Sequence, residues 1–204
     1  MEHDTNRRSF LGFAIFGLGA IFSAIIGIPV TLYVIDPRHR TPPKSQFKRV
    51  DGIKLDEITQ GAKPRQGVIL DTRRDGWTLY PNDVVGRVWV VQWGPRPANL
   101  SAMTSEELEN FNANTAHAAY LGVFTTICPH LGCSVNLDDA GGFLCPCHSA
   151  KFSTDGSLVA PAHNPAARGM DTLEWNIDPS DPERNRIVVK YERYKATLAK
   201  KELV

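Results

Sequence analysis

Apolar residues run from position 10 to position 35 without a single charge, and shorter apolar runs recur between polar segments over the rest of the chain. As a helix, the long run would rise about 39 Å, which is enough to cross a bilayer. A cleaved signal peptide would have a shorter apolar region ending in a small-residue cleavage site. We therefore predict that residues 1–35 include a retained transmembrane anchor, with a bend at Pro29.

Residues 36–47 separate this anchor from the remainder and contain Pro37, Pro42 and Pro43 among basic side chains. Proline lacks a backbone N–H and clashes with the preceding helical turn, so we expect the helix to end before this segment. The composition predicts a semi-extended tether. A hinge that lets a head move and a passive linker fit this composition equally well.

The remainder, residues 48–204, is predicted to be an all-β head. The sequence DDAGG at 138–142 predicts a hairpin turn. The four tryptophans, Trp77, Trp89, Trp93 and Trp175, are expected to pack in the core or at sheet edges. Strands are predicted where β-branched and aromatic residues cluster between turn residues, at 67–70, 86–91, 120–126 and 186–191.

One short helix is predicted at residues 105–111, within a segment inserted between two strands at 94–116. Thr104 stands at the N-cap position and Glu107 follows three residues later. Threonine and glutamate at this spacing form a capping box, in which each side chain accepts from the other residue's backbone N–H.

The length and net charge of the chain mainly exclude some classes of function. The chain has 204 residues and a formal net charge of +1, with no strongly biased segment. Nucleic-acid binding is therefore not indicated, since it depends on a concentration of basic residues. The length suits one modest domain in addition to the anchor.

Two short arms carry the candidate metal chemistry, CPHLGC at 128–133 and CPCH at 145–148. Four cysteines in an exported domain also fit two disulfides, and two cysteines with two histidines also fit zinc. Structural zinc sites usually begin with two cysteines two to four residues apart, whereas the first arm pairs a cysteine with a histidine. In a Rieske 2Fe-2S cluster, two cysteines hold one iron and two histidines hold the other. This ligand set therefore favours a Rieske cluster.

With these two arms at family spacing, residues 123–162 resemble the Rieske iron-sulfur subunits of cytochrome bc and bf complexes. The resemblance implies a Rieske-type antiparallel β-sandwich head with a small cluster-binding subdomain, preceded by one N-terminal transmembrane helix. It implies these roles: Cys128 and Cys145 on the inner iron, His130 and His148 on the outer iron, and Cys133 and Cys147 in a disulfide.

Two segments depart from the family pattern. Pro161 falls where the family has a third loop that covers the cluster, but Ala160 replaces the family's glycine before that proline. After the second arm, respiratory members have serine and tyrosine hydroxyls that donate to sulfur, where this chain has Ser149, Ala150 and Phe152. Fewer hydrogen bonds to sulfur lower the reduction potential, so we predict a value in the lower part of the roughly −150 to +300 mV Rieske range. Such a potential suits menaquinol.

The sequence NRRSFL at 6–11 resembles a twin-arginine export signal, which suits a protein that folds around its cofactor in the cytoplasm. Five basic residues between positions 38 and 49 outnumber the two arginines before the helix. The positive-inside rule alone would therefore keep the head in the cytoplasm. Because the export signal and a disulfide both favour the other side, we predict a single-pass protein of a bacterial cell membrane with a periplasmic head.

The resemblance implies an electron-transfer subunit of a quinol-cytochrome c or plastocyanin-type oxidoreductase. His148, together with His130, would meet the quinol, and cytochrome b and a c-type cytochrome would be the protein partners. The small Rieske subunit of an arsenite oxidase, which receives electrons from a molybdenum subunit, is the alternative, since it shares the export signal, the two arms and the disulfide. A Rieske oxygenase would need a further catalytic domain with a non-haem iron site, and 204 residues leave no room for one.

Overall fold

The computed structural model describes residues 7–39, 45–114, 117 and 119–204. The chain divides into two compact units after Lys44. The first unit contains helix α1, and the second is the head, Ser45–Val204.

Helix α1 spans Arg7–His39, and residues Arg7–Asp36 are long and apolar enough to cross a membrane by length and composition. The helix includes Pro37, so the prediction that it ends before the proline-containing segment is wrong at this residue. Pro37 stands only two residues before the end of α1, and its fixed φ near −65° is compatible with a helical backbone. Asn6 of the export motif, together with residues 40–44 and their two prolines, lies outside the described residues.

The head is built on one six-stranded antiparallel sheet with the strand order β4-β3-β2-β1-β9-β8. The two ends of this sheet nearly close on each other, because Leu173 N donates to Val123 O at 2.8 Å just before β8 begins. The strands are β1 (Phe47–Asp51), β2 (Arg65–Asp75), β3 (Thr78–Gln92), β4 (Leu121–Thr125), β8 (Trp175–Ile177) and β9 (Ile187–Lys190).

Strand β3 separates two apolar cores. Val88 and Val90 face the core of the large sheet, whereas Trp89 and Val91 face a second core on the other side. Successive side chains of a strand point to opposite faces, so a strand buried on both faces is apolar at every position. This explains the unbroken apolar run at the end of β3.

The second core lies under a small three-stranded sheet of β5 (Asn136–Leu137), β6 (Phe143–Cys145) and β7 (Ala150–Phe152). The ring of Phe143 lies with its centroid 5.6 Å from that of Trp89 and 6.0 Å from that of Phe124. These aromatic contacts hold the small sheet against β3 and β4. The small sheet carries both arms of the candidate metal site.

All four predicted strands are present, and the predicted hairpin turn joins β5 to β6. Helix α2 spans Ser105–Ala113, two residues longer than predicted, and its capping box is confirmed. Thr104 N donates to the Glu107 carboxylate at 2.8 Å, and Glu107 N donates to the Thr104 hydroxyl at 3.3 Å. The all-β head with one N-terminal apolar helix agrees with the predicted fold class.

The prediction for the tryptophans is confirmed for Trp89 and Trp175, which are buried. Trp93 directly follows β3, an inner strand of the sheet, and its partly exposed ring packs against Phe124. Trp77 is fully exposed, so the prediction was wrong there. It lies in the turn of the β2–β3 hairpin, which extends past the residues where β1 and β4 pair with it and so has no neighbour to bury its tip.

Candidate metal centre

The first arm leaves the end of β4 as a narrow loop. Cys128 N donates to Cys133 O at 2.7 Å, and Gly132 N donates back to Cys128 O at 2.9 Å. Gly132 has a φ of 81°, in the left-handed region that glycine enters without steric cost. Trp89 Nε1 also donates to Val135 O at 2.9 Å, which ties the end of this loop to β3. The loop therefore presents its cysteines and histidine from a fixed backbone.

The second arm is the connection between β6 and β7. Cys145 pairs directly with Ala150 across the two strands, so the residues between them form a tight turn. Ser149 closes this turn with a φ of 58°. Cys145 is buried at the strand end, whereas Cys147 and His148 are exposed on the turn.

The two arms meet through one covalent bond and one ring contact. Cys133 and Cys147 form a disulfide with Cα atoms 6.6 Å apart, as the resemblance implies. The imidazole rings of His130 and His148 lie with centroids 4.7 Å apart and planes at 86°. Each arm therefore has one cysteine and one histidine that contact the corresponding residue of the other arm.

Cys128 and Cys145 are the cysteines left outside the disulfide, and both are buried. Burial and, to a lesser extent, the neighbouring Cys145 raise the pKa of the Cys128 thiol to about 11, although hydrogen bonds from the backbone N–H groups of His130 and Leu131 oppose the rise. Two thiolates here would therefore need a positive charge beside them. Bound metal ions supply such a charge and keep thiols deprotonated.

His130 provides a further test of whether a metal group fits. Within the described part of the chain, its Nδ1 is one of three buried side-chain polar atoms that have no hydrogen-bond partner. Burying such an atom without a partner costs about 1–3 kcal/mol. A metal bond to Nδ1 would remove this cost. Two buried thiols and two adjacent imidazoles are the donors of a Rieske cluster, so the residues present fit this group.

A different trio of sulfurs also lies close together. The Sγ atoms of Cys133, Cys145 and Cys147 are all within 4.8 Å of one another. Two of these sulfurs are bonded to each other in the disulfide, which leaves only Cys145 with a thiol to offer. The trio is therefore not a ligand set, and its compactness places the disulfide next to the candidate site.

The Rieske [2Fe-2S] domain family matches residues 105–174, which include both arms and the loop of Pro161. The chain contains a Rieske domain. The menaquinol:cytochrome c reductase iron-sulfur subunit of Bacillus subtilis is 26% identical to this chain over 180 residues, which cover 86% of this chain and 89% of that protein.

Two further comparisons extend this result. The cytochrome b6-f complex iron-sulfur subunit of Chlorobaculum tepidum is 26% identical over 77% of this chain and 64% of that protein. The crystal structure of a plasma membrane Rieske protein from Synechocystis PCC 6803 shows 27% identity over 55% of this chain, with a TM-score of 0.33. Neither of the two sequence relatives is named as a subunit of an arsenite oxidase.

The third loop of the Rieske domain is fastened to the strand that follows the second arm. The Asn164 amide donates to Lys151 O at 2.7 Å and to Val159 O at 3.1 Å. Pro161 starts a single 3₁₀ turn directly after Ala160, which has a φ of 48° and a ψ of 67°. This left-handed backbone accounts for the glycine that the family has at this position, since glycine enters it without strain.

The three residues predicted to tune the reduction potential lie in the turn of the second arm and on β7, the strand that follows it. Ala150 is fully buried opposite Cys145, and Phe152 is buried in the second core opposite Phe143. Neither side chain has a hydrogen-bond donor. Ser149 is exposed on the turn. The Ser153 hydroxyl, another conceivable donor, is bound instead to Asp155 and Ser157.

Several residues near the Rieske centre were missed by the sequence analysis. Asn164 holds the third loop, and Thr197 N donates to Pro129 O of the first arm at 2.9 Å. Arg168 and Asp171 form an ion pair, with side chains only 10% and 4% exposed. No local pattern in the sequence marks these residues, because Asn164, Arg168 and Thr197 each donate a hydrogen bond to a segment distant in the chain.

Proposed function

We propose that this protein is the electron-transfer iron-sulfur subunit of a quinol-cytochrome c oxidoreductase. The observation that carries the proposal is the ring contact between His130 and His148, which come from two different arms that each also hold one buried free thiol. In this proposal Cys128 and Cys145 hold one iron of a 2Fe-2S cluster and the two histidines hold the other. When bound, such a cluster accepts and donates one electron at a time at a higher potential than an all-cysteine cluster.

The exposed ring of His148 is the contact with substrate. Its outer nitrogen accepts a hydrogen bond from a quinol hydroxyl and takes the proton as the quinol is oxidised. His130 is half-buried, and its Nδ1 is a buried atom. Its ring packs against the ring of His148 and holds it in place. The disulfide between Cys133 and Cys147 holds the two arms at this spacing. The pairing of electron and proton uptake makes the midpoint potential pH-dependent.

Menaquinol is the proposed substrate. Ala150 and Phe152 place no donor on the cluster or ligand sulfurs, which favours a potential in the lower part of the roughly −150 to +300 mV range. Menaquinol is a low-potential quinol, so an acceptor with a low reduction potential can oxidise it. The relative from Bacillus subtilis, similar over most of both chains, carries menaquinol in its name.

The proposed setting is a bacterial cell membrane, with α1 as a single anchor and the head on the periplasmic side. Its partners there are cytochrome b, which takes the second electron of the quinol, and a c-type cytochrome, which takes the electron from the head. The relatives are named as subunits of such complexes. The segment at 36–47 is proposed as the hinge that lets the head move between these partners.

The test is an EPR-monitored redox titration of the membrane-bound protein at two pH values, with and without a quinol-site inhibitor. A Rieske-type signal with a low, pH-dependent midpoint and a line shape altered by the inhibitor is expected. A midpoint near the top of the Rieske range would contradict the assignment to menaquinol. A Rieske signal indifferent to the inhibitor would contradict quinol oxidation, and the absence of any signal would contradict the cluster itself.

A further inference from the structure

We infer that the C-terminal hairpin, residues 193–204, raises the reduction potential of the Rieske centre by binding the first arm at Pro129. Thr197 is the positioning residue through which it acts. The inference rests on the proposed ligation of a 2Fe-2S cluster by Cys128.

The last residues of the chain form an ordered hairpin. Lys195 N donates to Glu202 O at 2.8 Å, and Val204 N donates to Arg193 O at 3.0 Å. Tyr194 forms an antiparallel bridge with Leu203. The hairpin therefore has its own backbone hydrogen bonds and holds residues 196–201 in a defined turn.

A nearly buried ion pair anchors this hairpin to the head. The guanidinium of Arg168 binds the Asp171 carboxylate through Nε at 2.9 Å and Nη2 at 2.8 Å. The same guanidinium donates to the backbone oxygens of Leu198 and, at 2.9 Å, of Lys195. Arginine's planar fork of donors suits this simultaneous binding of a carboxylate and two carbonyls. Since Arg168 follows the third loop, the anchor joins the hairpin to the cluster-binding subdomain.

A second contact holds the other side of the hairpin. Lys201 Nζ donates to Thr172 O at 2.6 Å and lies 4.2 Å from the centre of the Tyr194 ring. Thr172 itself forms a bridge with Phe124 of β4, the strand that leads into the first arm. The hairpin is thus fixed at two points on either side of the turn that contains Thr197.

The turn makes one direct contact with the first arm, from Thr197 N to Pro129 O at 2.9 Å. Thr197 has a φ of 68°, in the left-handed region that a threonine rarely occupies. Such a conformation persists only where surrounding contacts impose it. Here the two anchors of the hairpin impose it, and the result is an N–H directed at the carbonyl of Pro129.

The carbonyl of Pro129 and the N–H of His130 belong to the same peptide unit. Hydrogen bonding from that N–H opposes the rise in the pKa of the Cys128 thiol, so it acts on the ligand sulfur. Hydrogen bonds in a chain polarise one another, so a donor on the carbonyl oxygen makes the N–H of the same peptide a stronger donor. A stronger hydrogen bond to a ligand sulfur favours the reduced form and raises the potential. The hairpin thereby supplies part of the stabilisation that Ala150 and Phe152 do not.

The test compares two substitutions at the same position of the full-length protein. Thr197→Pro removes the N–H, and its fixed φ near −65° also prevents the left-handed turn. Thr197→Gly keeps the N–H and adopts this φ freely. Both variants lose the threonine side chain and neither changes charge. The readout is the midpoint potential at constant pH, from an EPR-monitored titration.

We expect the potential of Thr197→Pro to lie below that of Thr197→Gly by a threefold to tenfold change in the one-electron equilibrium constant, about 28–59 mV. Equal potentials for the two variants would overturn the inference. A wild-type protein without a Rieske signal would instead overturn the proposed function, so the two failures are distinguishable.

Discussion

The rings of His130 and His148 lie 4.7 Å apart at nearly a right angle, although each belongs to a different arm of the Rieske domain. Neither arm positions the pair alone. The first arm is held to β3 by Trp89, and the second is set by the pairing of β6 with β7. Their relative position therefore depends on how the small sheet packs on the large one.

We predict that His130→Gln abolishes the 2Fe-2S cluster. The substitution removes the inward-directed Nδ1, and the amide that replaces the imidazole is a poor iron ligand. Iron content and the EPR signal of the purified membrane protein measure the result. His163→Gln is the matched control, since His163 is exposed on the third loop and is not among the proposed ligands. Full iron occupancy in His130→Gln would contradict the ligand assignment.

Removal of the disulfide should destabilise the head. The bond between Cys133 and Cys147 closes a loop with a sequence separation of 14. For a loop of about 15 residues, the restriction of the unfolded chain contributes about 3 kcal/mol. The double variant Cys133→Ser/Cys147→Ser should therefore lose about 2–4 kcal/mol in the free energy of unfolding, measured with denaturant, and lose iron faster. An unchanged midpoint of unfolding would show that the disulfide contributes nothing to stability.

Ala160→Gly should stabilise the protein. Ala160 has a φ of 48° and a ψ of 67°, a left-handed conformation that costs an alanine roughly 1–2 kcal/mol. Glycine avoids this cost but loses more conformational entropy on folding. We expect a net gain of roughly 0.5–1 kcal/mol in the free energy of unfolding. A loss of stability in thermal or chemical unfolding would mean that the methyl group of Ala160 makes a contact worth more than the strain.

The contribution of Asp155 to stability should disappear in acid. Hydrogen bonds from the Ser153 and Ser157 hydroxyls lower the pKa of Asp155 from 3.8 to about 2. A carboxyl group whose pKa is depressed in the folded state stabilises that state above its unfolded pKa and loses this effect as the pH falls through the folded pKa. The stability difference between the wild-type protein and Asp155→Asn should therefore be constant above pH 4 and shrink between about pH 4 and pH 2. A stability difference between the two proteins that stayed constant across this pH range would contradict the prediction.

Trp77→Ser should leave the stability of the head unchanged. Trp77 is fully exposed at the tip of the β2–β3 hairpin, so its replacement removes no buried contact. We expect a change within about 0.5 kcal/mol, as for other exposed positions. Trp175→Ser is the contrasting variant, because Trp175 is buried and its Nε1 donates to Leu121 O. If Trp77→Ser destabilised the head as strongly as Trp175→Ser, the hairpin tip would have to be buried.

The sequence by itself determined the features that depend on neighbouring residues. The capping box of α2 joins residues three apart, the turn at 138–142 closes a local hairpin, and the apolar run of α1 is continuous. The sequence also predicted the donor types of the two arms, because cysteine and histidine at these short spacings are themselves the metal-binding groups.

The tertiary structure decided what depends on packing between distant segments. It exposed Trp77, because the strands beside the hairpin end before its tip. It gave Ala160 a left-handed backbone and brought Thr197 to Pro129 through the Arg168–Asp171 ion pair. Such contacts carry no periodicity along the chain. They arise only when the strands have assembled and the remaining backbone must satisfy its hydrogen bonds against whatever surface lies beside it.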